Sequence, residues 1–345
     1  MSRLPRKRCV GLALVLALAV LSLALQAETC TTQSQMATAD RASLTAAAQS
    51  FAAWVKAGDA AGVKASTIPQ YAESFDGIAA AISATAPKIT GDALSVTSLY
   101  ILDASSNTGA KDTQFFCSLN NSAAEAIFSL PALPPGRYAL ATVRAQGIQP
   151  AWNLSFVLRQ SGSAWQLAGF IPKPATAAGH DGLWYWTQAR LYAKQVEHWN
   201  AWLYYSEADA LLAPVDFVSS TNRDKLHSEQ TDAMPPPLQL NGISADHPLT
   251  LPEGTAASPV PAQSFAFTAI GTQESQDGKS LELAVHITAT DVSKPADVRT
   301  RSMQALNVLL TAYPELHNAF AAAWIYADAP GQSSFGIEFN PLPVQ

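Results

Sequence analysis

The 345-residue chain is 48 % hydrophobic and 14 % charged, with 27 acidic against 21 basic residues and a formal net charge of −6. That balance excludes a nucleic-acid binder, whose affinity rests on clustered bases that release counterions, and it fits anionic lipid headgroups poorly. The six histidines are scattered, and no His-Glu-x-x-His or paired-cysteine motif occurs, so neither a metal site nor a cofactor is expected.

Residues 1–27 read as an export signal. Arg3, Arg6, Lys7 and Arg8 precede an unbroken apolar run from Cys9 to Leu25, with small residues for cleavage near 24 to 27. Losing that leader removes four bases and no acid, which takes the net charge from −6 to −10. An apolar run of this length also reaches the lower limit for crossing a bilayer, about 17 residues, so an uncleaved anchor is the alternative and the only route to a membrane association. The expected location is the periplasm or the cell exterior. There the two remaining cysteines, Cys30 and Cys117, can pair; one buried thiol and one exposed thiol is the other reading. The chain exceeds the usual domain size of about 100 to 150 residues, so two or more units are expected.

The first unit is placed at 28–172. Leu44, Ala48, Phe51 and Val55 recur at helical spacing and Gly58 follows as a cap. Helical signals continue through "DAAGVKA" and "QYAESFDGIAAAISATAP", which carry Phe75, Ile78 and Ile82 before the stop at Pro87. Then "LSVTSLYILD", "TQFFCSL", "AEAIFSL", "RYALATVRAQ", "WNLSFVLRQ" and "AWQLAGFI" read as short strands about ten residues apart, an antiparallel sheet. Helices followed by a meander ending in "SFVLRQSGSAWQLAGFI" resemble the cone-shaped domains of the nuclear-transport-factor-2-like superfamily. That resemblance implies an internal pocket, used by some members for isomerisation or dehydration with an inward Asp–His pair. Residues 28–172 contain no histidine, so the pair has no match. The segment "FSLPALPPGRYALATVRA" instead resembles the turn of transthyretin-like and carboxypeptidase-regulatory β-sandwiches, and a sheet turn there is also what its prolines and Gly136 would give.

Residues 173–231 are expected to form a helical hairpin holding four of the eight tryptophans. Tyr185, Ala189 and Tyr192 share one helical face; Ala201, Tyr205 and Ala208 share another, with Pro214 beyond. The pattern resembles a single tetratricopeptide repeat, although Gln188 stands where that family prefers Leu. One repeat cannot bury its own apolar face, so Trp184, Trp186, Trp199 and Trp202 are expected to pack against neighbouring units. The alternative is an exposed stacking surface for a sugar or peptide. A Pro-rich linker is placed at 232–262. Beyond it "SFAFTAIGTQ", "KSLELAVHITAT", a helix carrying Met303, Leu306, Leu310 and Tyr313, then "AAAWIYADA" and "SSFGIEFN" predict a ββαββ module over 263–345. The fold class is α+β.

Two pairs resemble catalytic machinery, and Glu197–His198, at the solvated turn of the helical hairpin, ranks below His180–Asp181. His180 beside Asp181 in "AAGHDGLW" offers a loop imidazole near a carboxylate, a general-base arrangement; the plainer reading is a helix cap and a surface histidine. There is no Gly-x-Ser-x-Gly elbow, phosphate loop or dinucleotide fingerprint. The expectation is an exported, non-catalytic binding or assembly protein of a bacterial cell envelope, with a protein, peptide or glycan partner. A carbohydrate or peptide binder using the tryptophan-rich helices and an isomerase or hydrolase using a cone pocket are the alternatives.

Overall fold

The computed structural model describes residues 28–119, 124–146, 150–252 and 264–343. The leader expected at 1–27 lies outside them. Among the described residues, no helix is long and apolar enough to cross a membrane.

The chain is an α+β protein. Strand β1 (Thr29–Thr32) precedes helices α1 (Thr38–Ala57), α2 (Ala60–Ala65), α3 (Pro69–Ala72) and α4 (Asp76–Thr85). Helix α1 buries Leu44, Ala48, Phe51, Ala52 and Val55 along one side and ends at Gly58, whose φ of 68° suits the residue without a β-carbon. Six strands follow: β2 (Leu94–Asp103), β3 (Lys111–Ser118), β4 (Glu125–Leu133), β5 (Arg137–Ala145), β6 (Trp152–Ser161) and β7 (Ala164–Pro174).

These strands do not make the single sheet expected from their spacing. The main sheet runs β1-β2-β5-β6-β7, and all its pairings are antiparallel. Strands β3 and β4 leave it to join β8 (Val218–Ser220) in a second sheet of three strands. Burial explains the split. Strand β5 is buried at seven of nine positions, because helices cover Ala139, Ala141 and Val143 on one face while the small sheet covers Tyr138 and Leu140 on the other. Strand β3 alternates buried and exposed residues, the pattern of a strand covered on one side. The first unit therefore has helices on one face of its main sheet and a short sheet on the other. A disulfide from Cys30 in β1 to Cys117 in β3, with Cα atoms 5.3 Å apart, links the two sheets.

Helices α5 (Gly182–Lys194) and α6 (His198–Leu212) form an antiparallel hairpin. Gly182 permits close approach, since a β-carbon there would sit 2.6 Å from Leu212 Cγ. Helix α7 (Thr221–Asp232) buries only Leu226 and is held by charge: Arg223 and His227 bind Asp209 of α6, and Arg190 of α5 makes a bidentate pair with Glu229. The stretch placed as a linker at 232–262 is in part ordered structure: it contains α8 (Pro236–Asn241) and β9 (Leu249–Pro252). Pro236 starts α8 at a position where no amide donor is needed, and β9 has a partner strand to extend.

That partner is β10 (Ser264–Glu274), followed by β11 (Leu281–Thr288), α9 (Pro295–Ala312), α10 (Leu316–Ala319), β12 (Ala323–Asp328) and β13 (Phe335–Phe339). The sheet order is β13-β12-β11-β10-β9. Strands β11 and β12 run parallel because α9 carries the chain back across the sheet. One face of this sheet shares a continuous core with α9 and with the helical hairpin.

Candidate functional site

The residue types singled out in the sequence are placed by this fold as packing groups. Asp181 caps α5, its Oδ1 accepting from the Trp184 amide at 2.9 Å. The His180 ring lies flat on the Trp184 indole, with centroids 3.7 Å apart and planes 8° from parallel. The carboxylate is thus directed at a backbone amide rather than at the imidazole, so the general-base arrangement is not formed. Trp199 is 1 % exposed and lies 5.3 Å from the Tyr313 ring. Trp186 donates from Nε1 to Glu229 at 2.8 Å and has the Arg190 guanidinium 4.3 Å over its ring. Trp184 and Trp202 are half-buried against the same core; Trp202 meets Trp199 edge-on, at 86°. Trp199 and Trp202, crossed in this way, fill a core and offer no common plane for a guest.

A cleft of about 460 Å³ opens instead in the first unit, between the main sheet and the "LPALPPG" segment. Its floor comes from β5, β6 and β7 through Leu140, Val157 and Ile171, and α3 closes one end with Tyr71. The rim is Leu130 to Pro134, at the end of β4. Two hydrogen bonds stitch the following turn to the sheet: Tyr138 donates its hydroxyl to Pro134 O at 3.0 Å, and Arg159 donates from Nη2 to Pro135 O at 3.2 Å. Gly136, at φ 154°, leaves room for that guanidinium, because a β-carbon would meet Arg159 Nε at 3.3 Å. Ala132 holds a φ of 47°, unusual for a residue with a side chain. Its amide donates to Asp112 Oδ1 at 2.9 Å, which fixes the bend.

The lining is apolar apart from Gln70, Tyr71, Tyr138 and Arg159. Burial pushes the Tyr138 phenol above its ordinary value, so it stays neutral at any physiological pH. Arg159 is the only charged group of the lining, and its guanidinium lies 5.7 Å over the Tyr138 ring. Among the described residues, no carboxylate is paired with it. The sequence marks this segment as a proline-rich turn but not as a cavity rim; the available signal was three prolines set among leucines beside Arg137 and Tyr138.

A second polar knot lies between α6 and β10. Glu207 accepts from Thr272 Oγ1 at 2.9 Å, and burial, with Glu274 nearby, raises its carboxyl above the ordinary value. Glu274 in turn accepts from the amide of Ala178, which also has a positive φ, 48°. This knot fastens the turn before α5 to the C-terminal sheet. Among the described residues, no three potential metal ligands converge. No family model, no curated protein and no solved structure matches the chain.

Proposed function

We propose that the chain is an exported, non-catalytic binding protein of the cell envelope, and that the cleft of its first unit holds a small amphipathic anion. The carrying observation is a preformed apolar cavity whose wall holds one guanidinium that, among the described residues, donates to the Pro135 carbonyl but meets no carboxylate. The volume falls within the range of ligand pockets, about 300 to 1,000 Å³. An alkyl or aryl body would gain roughly 25 cal/mol for each Å² removed from water, and a carboxylate on Arg159 would add roughly 1.5 to 3 kcal/mol. The lining holds no carboxylate, imidazole or thiol, which leaves a bound molecule without a proton acceptor of ordinary pKa. That favours holding over converting. The basic-then-apolar leader and the Cys30–Cys117 bridge support a compartment that oxidises thiols, outside the cytoplasm.

Competition between an anionic naphthalene-sulfonate dye and dodecanoate, read by fluorescence, tests this reading. Arg159→Gln should weaken dodecanoate about tenfold, the equivalent of one charge-assisted hydrogen bond, and leave dodecanol unchanged. Ala168→Phe, which puts a ring into the cavity, should abolish both. Wild-type affinity for dodecanoate in both variants, or no binding to the unaltered protein, would sink the proposal.

A further inference from the structure

The C-terminal sheet has a second face, turned away from α9 and the helical hairpin. Alternation along the strands puts Gln273, Glu282, Ala284, His286, Trp324, Tyr326, Asp328 and Glu338 on it. The aliphatic side chains on this face are the small Ala266, Ala269 and Ala284, so it lacks the Leu, Ile and Val that an ordinary protein partner would bury. It carries rings instead. His286 and Tyr326, cross-strand neighbours, lie 4.8 Å apart and 19° from parallel; Trp324 and Tyr326, two residues apart, lie 6.0 Å apart and 18° from parallel. All three are half-buried.

Polar groups hold these rings in place. Trp324 donates from Nε1 to Glu282 at 2.8 Å, Tyr326 donates its hydroxyl to Gln273 Oε1 at 2.7 Å, and His286 Nδ1 is 2.8 Å from Asp328 Oδ2. Ser334 donates to the other oxygen of Asp328. Gly336, across from Tyr326, is the residue that lets the rings settle: a β-carbon there would lie 2.8 Å from Tyr326 Cε1 and 3.4 Å from Trp324 Cε3. The charge pattern then narrows the guest. None of the five strands contains a lysine or arginine, whereas Asp328 and Glu338 stand on this face; Glu282 lies beneath it, 2 % exposed and taken up by the Trp324 indole. An anionic ligand meets no basic side chain from these strands. A polyol meets flat apolar rings beside an excess of hydrogen-bond acceptors, which complement its hydroxyl donors.

We propose that this face binds uncharged glycan chains, with pyranose rings laid on Trp324 and Tyr326 and their hydroxyls donated to Asp328, Glu338 and Gln273. The site is separate from the cleft of the first unit and does not depend on it. The test is calorimetry of the full-length folded protein with hexasaccharides of the cello, xylo and N-acetylchito series, beside hexalysine as a cationic probe. At least one neutral hexasaccharide should bind, and Tyr326→Ala should weaken it tenfold or more. Gly336→Val should do the same by displacing the rings, while Trp202→Phe in the helical hairpin leaves binding unchanged. Circular dichroism and an unchanged melting temperature would establish that the variants fold, and Trp324→Phe, which keeps a ring, should retain most of the affinity. Failure of the whole panel to bind, binding insensitive to Tyr326→Ala, or a preference for hexalysine over every glycan would each overturn the proposal.

Discussion

At the scale of single residues, the side chains with the most conspicuous chemistry do mechanical work. Glu207 is the clearest case, a carboxyl set between a helix and a sheet with one hydroxyl donor and a second acid nearby. Its folded-state pKa lies above the ordinary 4.5, so the native state disfavours the ionised form. The stability lost is therefore absent below about pH 4.5 and grows as pH rises through the elevated value. Glu207→Gln, which keeps the acceptor for Thr272, should melt higher than the parent at pH 8. The two melting curves should converge by pH 4, as thermal denaturation across that range would show. Glu229 is the opposite case, held below its ordinary value by the Arg190 guanidinium and by the Trp186 indole.

At the scale of elements, local pattern and tertiary pairing separate cleanly. The run "LSVTSLYILD" corresponds to β2 residue for residue, and Leu44, Ala48, Phe51 and Val55 are buried in α1 as their spacing predicts. Which strands lie beside β2 is a different matter: its neighbours are β1 and, on the other side, β5, more than thirty residues on, and no local signal ranks the β5 pairing above the nearby β3. The same limit hid both the cleft and the ring-bearing face of the C-terminal sheet. The rim of the cleft and its floor come from separate sheets, and His286 meets Tyr326 only because α9 returns β12 alongside β11. Helix α7 was hidden for another reason, since its stability comes from ion pairs to α5 and α6 rather than from an apolar stripe. The disulfide joins elements in the two sheets across 87 residues. Replacing both cysteines with serine should lower unfolding free energy by roughly 4 to 5 kcal/mol in the chain-entropy picture, measurable in urea, without altering the native circular dichroism spectrum.

At the scale of the whole molecule, the helical hairpin belongs with the C-terminal sheet. Trp199 against Tyr313 and Tyr204 against Phe320, 5.3 and 6.0 Å between centroids, are parts of one core. Trp199→Ala should cost about 3 to 5 kcal/mol and should loosen both together, so that proteolysis under native conditions opens cleavage sites in the hairpin and in β10 to β13 at the same rate. Selective loss of the hairpin alone would contradict a common core. The cleft stands apart from this economy. Pro131, Pro134 and Pro135, the Asp112 tether on Ala132 and the hydroxyl of Tyr138 stiffen its proline-rich rim. If the cleft takes the amphipathic anion proposed for it, the doorway is already cut to size: entry should run at the speed of collision, and a branched or oversized body should be turned away at the threshold.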